Sequence, residues 1–164
     1  AAAVPAGVKA DIVPFLQQSF ETMALAKVAT GAGQMAEMGF LRDVDGWSVD
    51  TDARIGDAKR VALQLVANNY RAPQAPVLNL PGADGIAVFD MALNAFKWSA
   101  MASEHDCVLG HQIARVLCGG EKGGNVTEQQ LLNIEREGFL HLCGLEKTQA
   151  RIMHMLKTGK PLRN

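Results

Sequence analysis

Residues 127–164, TEQQLLNIEREGFLHLCGLEKTQARIMHMLKTGKPLRN, read as two consecutive helices and a short polar stop, and they set the fold class. Thr127 precedes Gln130 by three residues, the spacing at which a hydroxyl accepts from the third backbone amide while that residue's side chain reaches back to the cap. Leu131, Leu132, Ile134, Phe139 and Leu142 form the apolar side of the first helix. Gly144 is expected to supply a left-handed stop. A second helix follows from Glu146 to Lys157, with Ile152, Met155 and Leu156 as its stripe. Gly159 and Pro161 end it, because proline offers no amide to continue the ladder.

The same signals recur upstream. Ser103 with Asp106 repeats the capping spacing, and Leu109, Ile113, Val116 and Leu117 face inward until Gly119 and Gly120 break the helix. From residue 83 to about 101, Ile86, Phe89, Leu93, Phe96 and Ala100 make one stripe while Val88, Met91, Ala95 and Trp98 make another, which predicts a central helix buried on two sides. Asp11 can cap a first helix reaching Thr30 or Gly31, with Pro14 tolerated in its first turn and Ile12, Leu16, Phe20 and Met23 on one face. A short helix over 33–38 is closed by Gly39, and Asp52 opens another carrying Ile55, Ala58, Ala62, Leu65, Val66 and Asn69. Pro73, Pro76 and Pro81 impose an extended connector, the expected internal hinge. Trp47 and Val49 alternate with polar residues over 46–49 as the single short strand expected. Gly110 and Gly138 fall inside helices, where glycine is disfavoured by about 1 kcal/mol relative to alanine. Each fits either a close helix approach or no special role. The reading is a mainly α fold.

A chain of 164 residues with 48% hydrophobic content can bury a sizeable core. A formal net charge of −1 with interspersed signs provides no phosphate-binding field, so nucleic acid is not an expected partner. No run of eighteen apolar residues exists, and the start AAAVPAGV lacks the charged and apolar regions of a secretory signal. A cytoplasmic location without membrane contact is expected, with residues 1–10 frayed. Cys107, Cys118 and Cys143 show no CxxC spacing and fit reduced cysteines packed as small hydrophobes. A metal-binding helical bundle would need at least three of Glu104, His105, His111, Glu137 and His141 to converge, with His154 and the cysteines as further donors.

No catalytic, cofactor-binding or metal-ligating residue is assigned. GGEKGG at 119–124 is neither followed by Lys-Ser or Lys-Thr nor preceded by a strand, as nucleotide loops require, and reads as a helix-to-helix loop. GxSxG and HExxH are absent from the sequence. Glu104, His105 and Asp106 resemble an acid–base cluster, yet acids in a first turn are also what the helix dipole favours.

The pattern EREGFLHLCGLEKTQARIMHMLKTGKPLRN, with ETMALAKVATGAGQMAEMGFL at 21–41 and SEHDCVLGHQIARVLCGG at 103–120, resembles the C-terminal part of multifunctional fatty-acid β-oxidation proteins. In these an NAD-dependent 3-hydroxyacyl-CoA dehydrogenase comes first and a crotonase-type enoyl-CoA hydratase last. The resemblance implies that residues 1–50 hold the last part of a crotonase-like α/β spiral core and 51–164 a C-terminal helical region. It also implies that the catalytic glutamates, the dinucleotide turn and the catalytic histidine belong to parts outside this chain. No NAD or other cofactor would then be bound here, although the parent would use NAD and acyl-CoA substrates. Helices of this kind pack over an acyl-CoA site, which makes Phe89, Phe96, Lys97 and Trp98 candidates to line it, each also fitting plain core. The implied partners are the parent's missing N-terminal core and, in its absence, a second copy of the chain. A different reading is an autonomous helical interaction module with 83–101 as its docking helix.

Overall fold

The computed structural model describes residues 11–164, so the expected fraying at 1–10 lies outside the described residues. Seven helices and two strands follow in the order α1 (Val13–Ala24), α2 (Ala32–Glu37), α3 (Arg54–Ala67), β1 (Leu78–Leu80), α4 (Ala83–Trp98), α5 (Glu104–Leu117), β2 (Gly124–Val126), α6 (Glu128–Cys143) and α7 (Glu146–Thr158). The fold is mainly helical, as the sequence predicts. Two compact units are present: one from residues up to 26 together with 75–164, the other from 27–74. The second unit ends in the proline connector at Gln74.

In the first unit, α4 and α5 pack together, and α1 and α6 flank α5. The core comprises Phe20 of α1, Ile86, Phe89 and Leu93 of α4, and Ala114 of α5, closed by Cys118, with Leu16, Ile113 and Leu117 against it. Phe20 and Phe89 stack with ring centroids 4.7 Å apart, which ties α1 to α4 through two large buried aromatic groups. Gly110 allows the closest approach of α4 to α5: a Cβ there would meet Leu93 Cδ2 at 2.5 Å. Gly138 similarly brings α6 against Gln112 of α5, where an added Cβ would lie 3.0 Å from Oε1. The close-approach reading therefore holds for both mid-helix glycines.

Both capping boxes form in both directions, Ser103 with Asp106 on α5 and Thr127 with Gln130 on α6. Several helix ends differ from expectation. Helix α1 begins at Val13, whose amide donates to Asp11 Oδ1 at 3.0 Å, and stops at Ala24, well short of Thr30. Helix α4 stops at Trp98. In both cases the chain turns on an alanine in the left-handed region, Ala26 at φ 48° and Ala100 at φ 57°. Gly144 does not adopt the expected left-handed conformation but stays right-handed at φ −73°. A Cβ there would sit 3.2 Å from the His141 carbonyl oxygen, so glycine supplies room rather than handedness. Gly159, at φ 68°, does end α7 as expected.

The strand expected near Trp47 is not formed: 46–49 is irregular and Trp47 is exposed. The sheet is instead β1 antiparallel to β2, with Leu78 opposite Val126 and Leu80 opposite Gly124. GGEKGG is thus not a plain helix-to-helix loop, since its last glycine starts β2. A Cβ on Gly123 would meet the Gly82 backbone nitrogen at 2.4 Å, so backbone meets backbone where the loop crosses the start of α4. Helix α4 is also not buried on two sides. Ile86, Phe89 and Leu93 face the core, while Val88, Met91 and Trp98 are exposed, Trp98 at 84%.

The second unit contains α2 and α3, and neither buries a residue. Ile55, Val61, Leu63 and Val66 of α3 are exposed. Arg42 and Asp45 form an exposed pair at 2.7 Å that holds the Asp45 carboxyl down to about 2.

Candidate functional site

Two features of the first unit could carry function: a polar cluster where α5 begins, and an apolar groove along its far end. The polar cluster grows from the capping box. Asp106 is drawn toward the Ser103 amide, from which it accepts at 2.8 Å, and its other oxygen accepts from Arg151 Nη1 of α7 at 2.6 Å. Arg151 also donates to Ser103 Oγ at 3.3 Å and, through Nε, to Asn164 Oδ1 at 2.8 Å. Asn164 Nδ2 in turn donates to the Lys147 carbonyl at 3.2 Å, folding residues 160–164 back along α7.

His105 is 4% exposed, and its Nε2 shares a hydrogen bond of 3.0 Å with the Thr148 hydroxyl. Burial, then the nearby Arg151 and Lys147 cations, push its basicity below the ordinary imidazole range. Burial raises the Asp106 carboxyl, but the Ser103 amide and the Arg151 guanidinium outweigh it and leave the net value lowered. Glu104 points the other way, to Lys97 of α4 at 3.1 Å, and that ammonium lowers its value. The acid–base appearance of this triplet in the sequence therefore resolves into a cap, an interhelix ion pair and an exposed pair.

A second histidine, His111 of α5, has Nδ1 2.9 Å from Asp90 of α4, with both side chains about one-third exposed. Among the described residues no group of three metal donors converges, so Glu104, His105, His111, Glu137 and His141 are not brought together as a metal centre. The three cysteines are free. Cys118 is fully enclosed, and burial, with Asp90 and Glu121 adding to it, pushes its thiol up to about 11, which suppresses the reactive thiolate. Cys107 donates weakly to the Leu93 carbonyl at 3.6 Å.

The groove, of about 490 Å³, lies between α1, α5 and α6. Met23, Leu109, Ile113, Val116, Phe139 and Leu142 line it, Gly138 keeps its floor open, and Gln112 and Glu135 supply polar atoms. None of the residues the resemblance offered as acyl-site lining is in it. Phe89 is core, Phe96 and Trp98 are exposed, and Lys97 is engaged with Glu104. The groove escaped the sequence reading because it is made from residues that read correctly as inward stripes of three separate helices.

Helix α7 is mounted with its polar side inward. Thr148, Arg151 and His154 are its partly covered residues, whereas Ile152, Met153, Met155 and Leu156 are exposed, so the apolar stripe of this helix lies on its outer side. No helix among the described residues is long and apolar enough to cross a membrane.

No protein-family model and no solved structure matches the chain. It is similar to a protein of Bacillus subtilis (strain 168) described as a probable 3-hydroxyacyl-CoA dehydrogenase, with 42% identity over 149 residues. That alignment takes in 90% of this chain but 19% of the relative, so the chain spans about a fifth of the length of the protein it matches.

Proposed function

We propose that this chain is a helical, non-catalytic part of an acyl-CoA-oxidising enzyme of the 3-hydroxyacyl-CoA dehydrogenase type. The observation that carries the reading is the 42% identity sustained over 149 residues with a probable 3-hydroxyacyl-CoA dehydrogenase. NAD and acyl-CoA would then be handled by other parts of the parent enzyme. At the finer level, these helices cover and buttress a crotonase-type enoyl-CoA hydratase core and provide assembly contacts.

The outward apolar residues support a covering role. Large side chains on α3, α4, α6 and α7 remain exposed, and apolar patches beyond a few hundred Å² rarely stay bare in soluble proteins. Isolated from the parent, the chain is expected to self-associate.

The test places the purified chain beside its full-length parent in two assays, hydration of a trans-2-enoyl-CoA and NAD-dependent oxidation of the 3-hydroxyacyl-CoA. The parent is expected to turn over both and the chain neither, while light scattering reports oligomers of the chain. Unaided turnover by the chain refutes the non-catalytic assignment. A parent inactive in hydration removes the finer reading and leaves the coarser one, and a strictly monomeric chain removes the covering role.

A further inference from the structure

We propose that α7 and residues 159–164 form a proton-operated clasp, closed on the start of α5 while His105 is neutral and opened when it takes up a proton. The geometry has three parts. First, α7 buries none of its residues, so its attachment depends on polar contacts: Arg151 to Asp106, Ser103 and Asn164, and Thr148 to His105. An element with so little buried apolar area opens locally before the helices that carry the core. Second, the ring of His105 is enclosed and hydrogen-bonded to a hydroxyl rather than to a carboxylate. Third, it stands in the first turn of α5, where the helix dipole is unfavourable to a cation.

The charged groups acting on the ring are Arg151 and Lys147 from α7 and Asp106 from its own helix. Asp106 is already engaged by Arg151 and the Ser103 amide, and Glu104 is turned to Lys97 of α4. A proton on His105 therefore adds a third cation where one carboxylate already serves Arg151. Moving α7 away relieves both the repulsion and the desolvation at once.

The sign follows from the lowered basicity in the closed form. Well above 6.5, the ordinary imidazole value, both forms are neutral at this ring and the clasp is fully stable. As pH falls from there toward the closed-state value, the open form takes up the proton first, and the opening equilibrium rises by up to about tenfold per pH unit.

Hydrogen exchange on the full chain tests this, with rates corrected for intrinsic pH dependence and followed over about pH 5 to 8, where histidine titrates. Protection of the α7 amides is expected to fall several-fold on acidification while α5 and α6 hold theirs. H105Q, which keeps a side-chain amide for Thr148 and cannot titrate, is expected to remain closed across that range. Persistence of the pH dependence in H105Q overturns the proposal, as does a wild-type α7 indifferent to pH. If H105Q does not fold, the NMR titration of His105 in the wild type decides: its midpoint must coincide with that of α7 opening, and separate midpoints refute the coupling.

Discussion

Replacing Gly110 by alanine is expected to destabilise the protein although it improves helix propensity. On an isolated helix the change is favourable by about 1 kcal/mol, because alanine has less backbone freedom to lose. Here the new Cβ falls 2.5 Å from Leu93 Cδ2 and 2.9 Å from Cδ1, far inside van der Waals contact. Leu93 is 5% exposed and packed in the core with Phe20 and Phe89, so its methyl groups can give way only by disturbing close-packed neighbours. Overpacking of this kind costs about 1–3 kcal/mol. Subtracting the propensity gain leaves a net loss of up to about 2 kcal/mol. Gly138→Ala is the internal control. Its Cβ meets Oε1 of half-buried Gln112 at 3.0 Å, the end of a side chain that can shift but that also accepts from Arg115 at 2.9 Å, so part of the propensity gain is offset and stability changes by less than about 1 kcal/mol. Denaturant titrations of the two variants, compared at constant m-value, measure the difference directly. If Gly110→Ala stabilises by as much as Gly138→Ala, the close approach of α4 to α5 is wrong.

Two further substitutions probe the helix ends. Ala100 holds a left-handed conformation at φ 57° after α4, which disfavours an L side chain by about 1–2 kcal/mol, so Ala100→Gly should raise the thermal midpoint. An unchanged or lower midpoint contradicts that stop. Asp106→Ala removes both the return bond of the capping box and the partner of Arg151, and should lower stability by about 2 kcal/mol at neutral pH. Because the folded-state carboxyl is depressed, this contribution is complete above the ordinary value of 3.8 and fades as pH falls through the folded value. Wild type and variant should converge in acid unfolding curves, and a constant gap across that range counts against the ion pair.

Local devices were legible in the sequence; those that depend on distant partners were not. Both capping boxes formed because each member lies three residues from the other, so the chemistry is complete within one turn. The stops at Ala26 and Ala100 were hidden because alanine carries no preference for the left-handed region they occupy. The strands are three residues each and exist through the pairing of Leu78 with Val126, which no periodicity within either segment announces. The first-turn acids of α5 were read as helix-dipole partners, and that holds, but Arg151 arrives from 45 positions away. For the same reason the inward polar side of α7 could not be read from its own apolar stripe.

The discontinuity of the first unit bears on the order in which the native state is reached. Its α1 meets α5 only after the chain has passed through all of 27–74, so the Phe20–Phe89 stack closes a circuit containing an entire second unit. Loop-closure entropy grows slowly with length, as three halves of RT times its logarithm. Replacing those roughly 50 residues with a flexible linker of about 10 would shorten the circuit by a little over half and ease closure by about 0.7 kcal/mol. Docking of the amino-terminal helix is therefore a late event in folding, and a ribosome-bound nascent chain should hold it undocked until α5 has emerged.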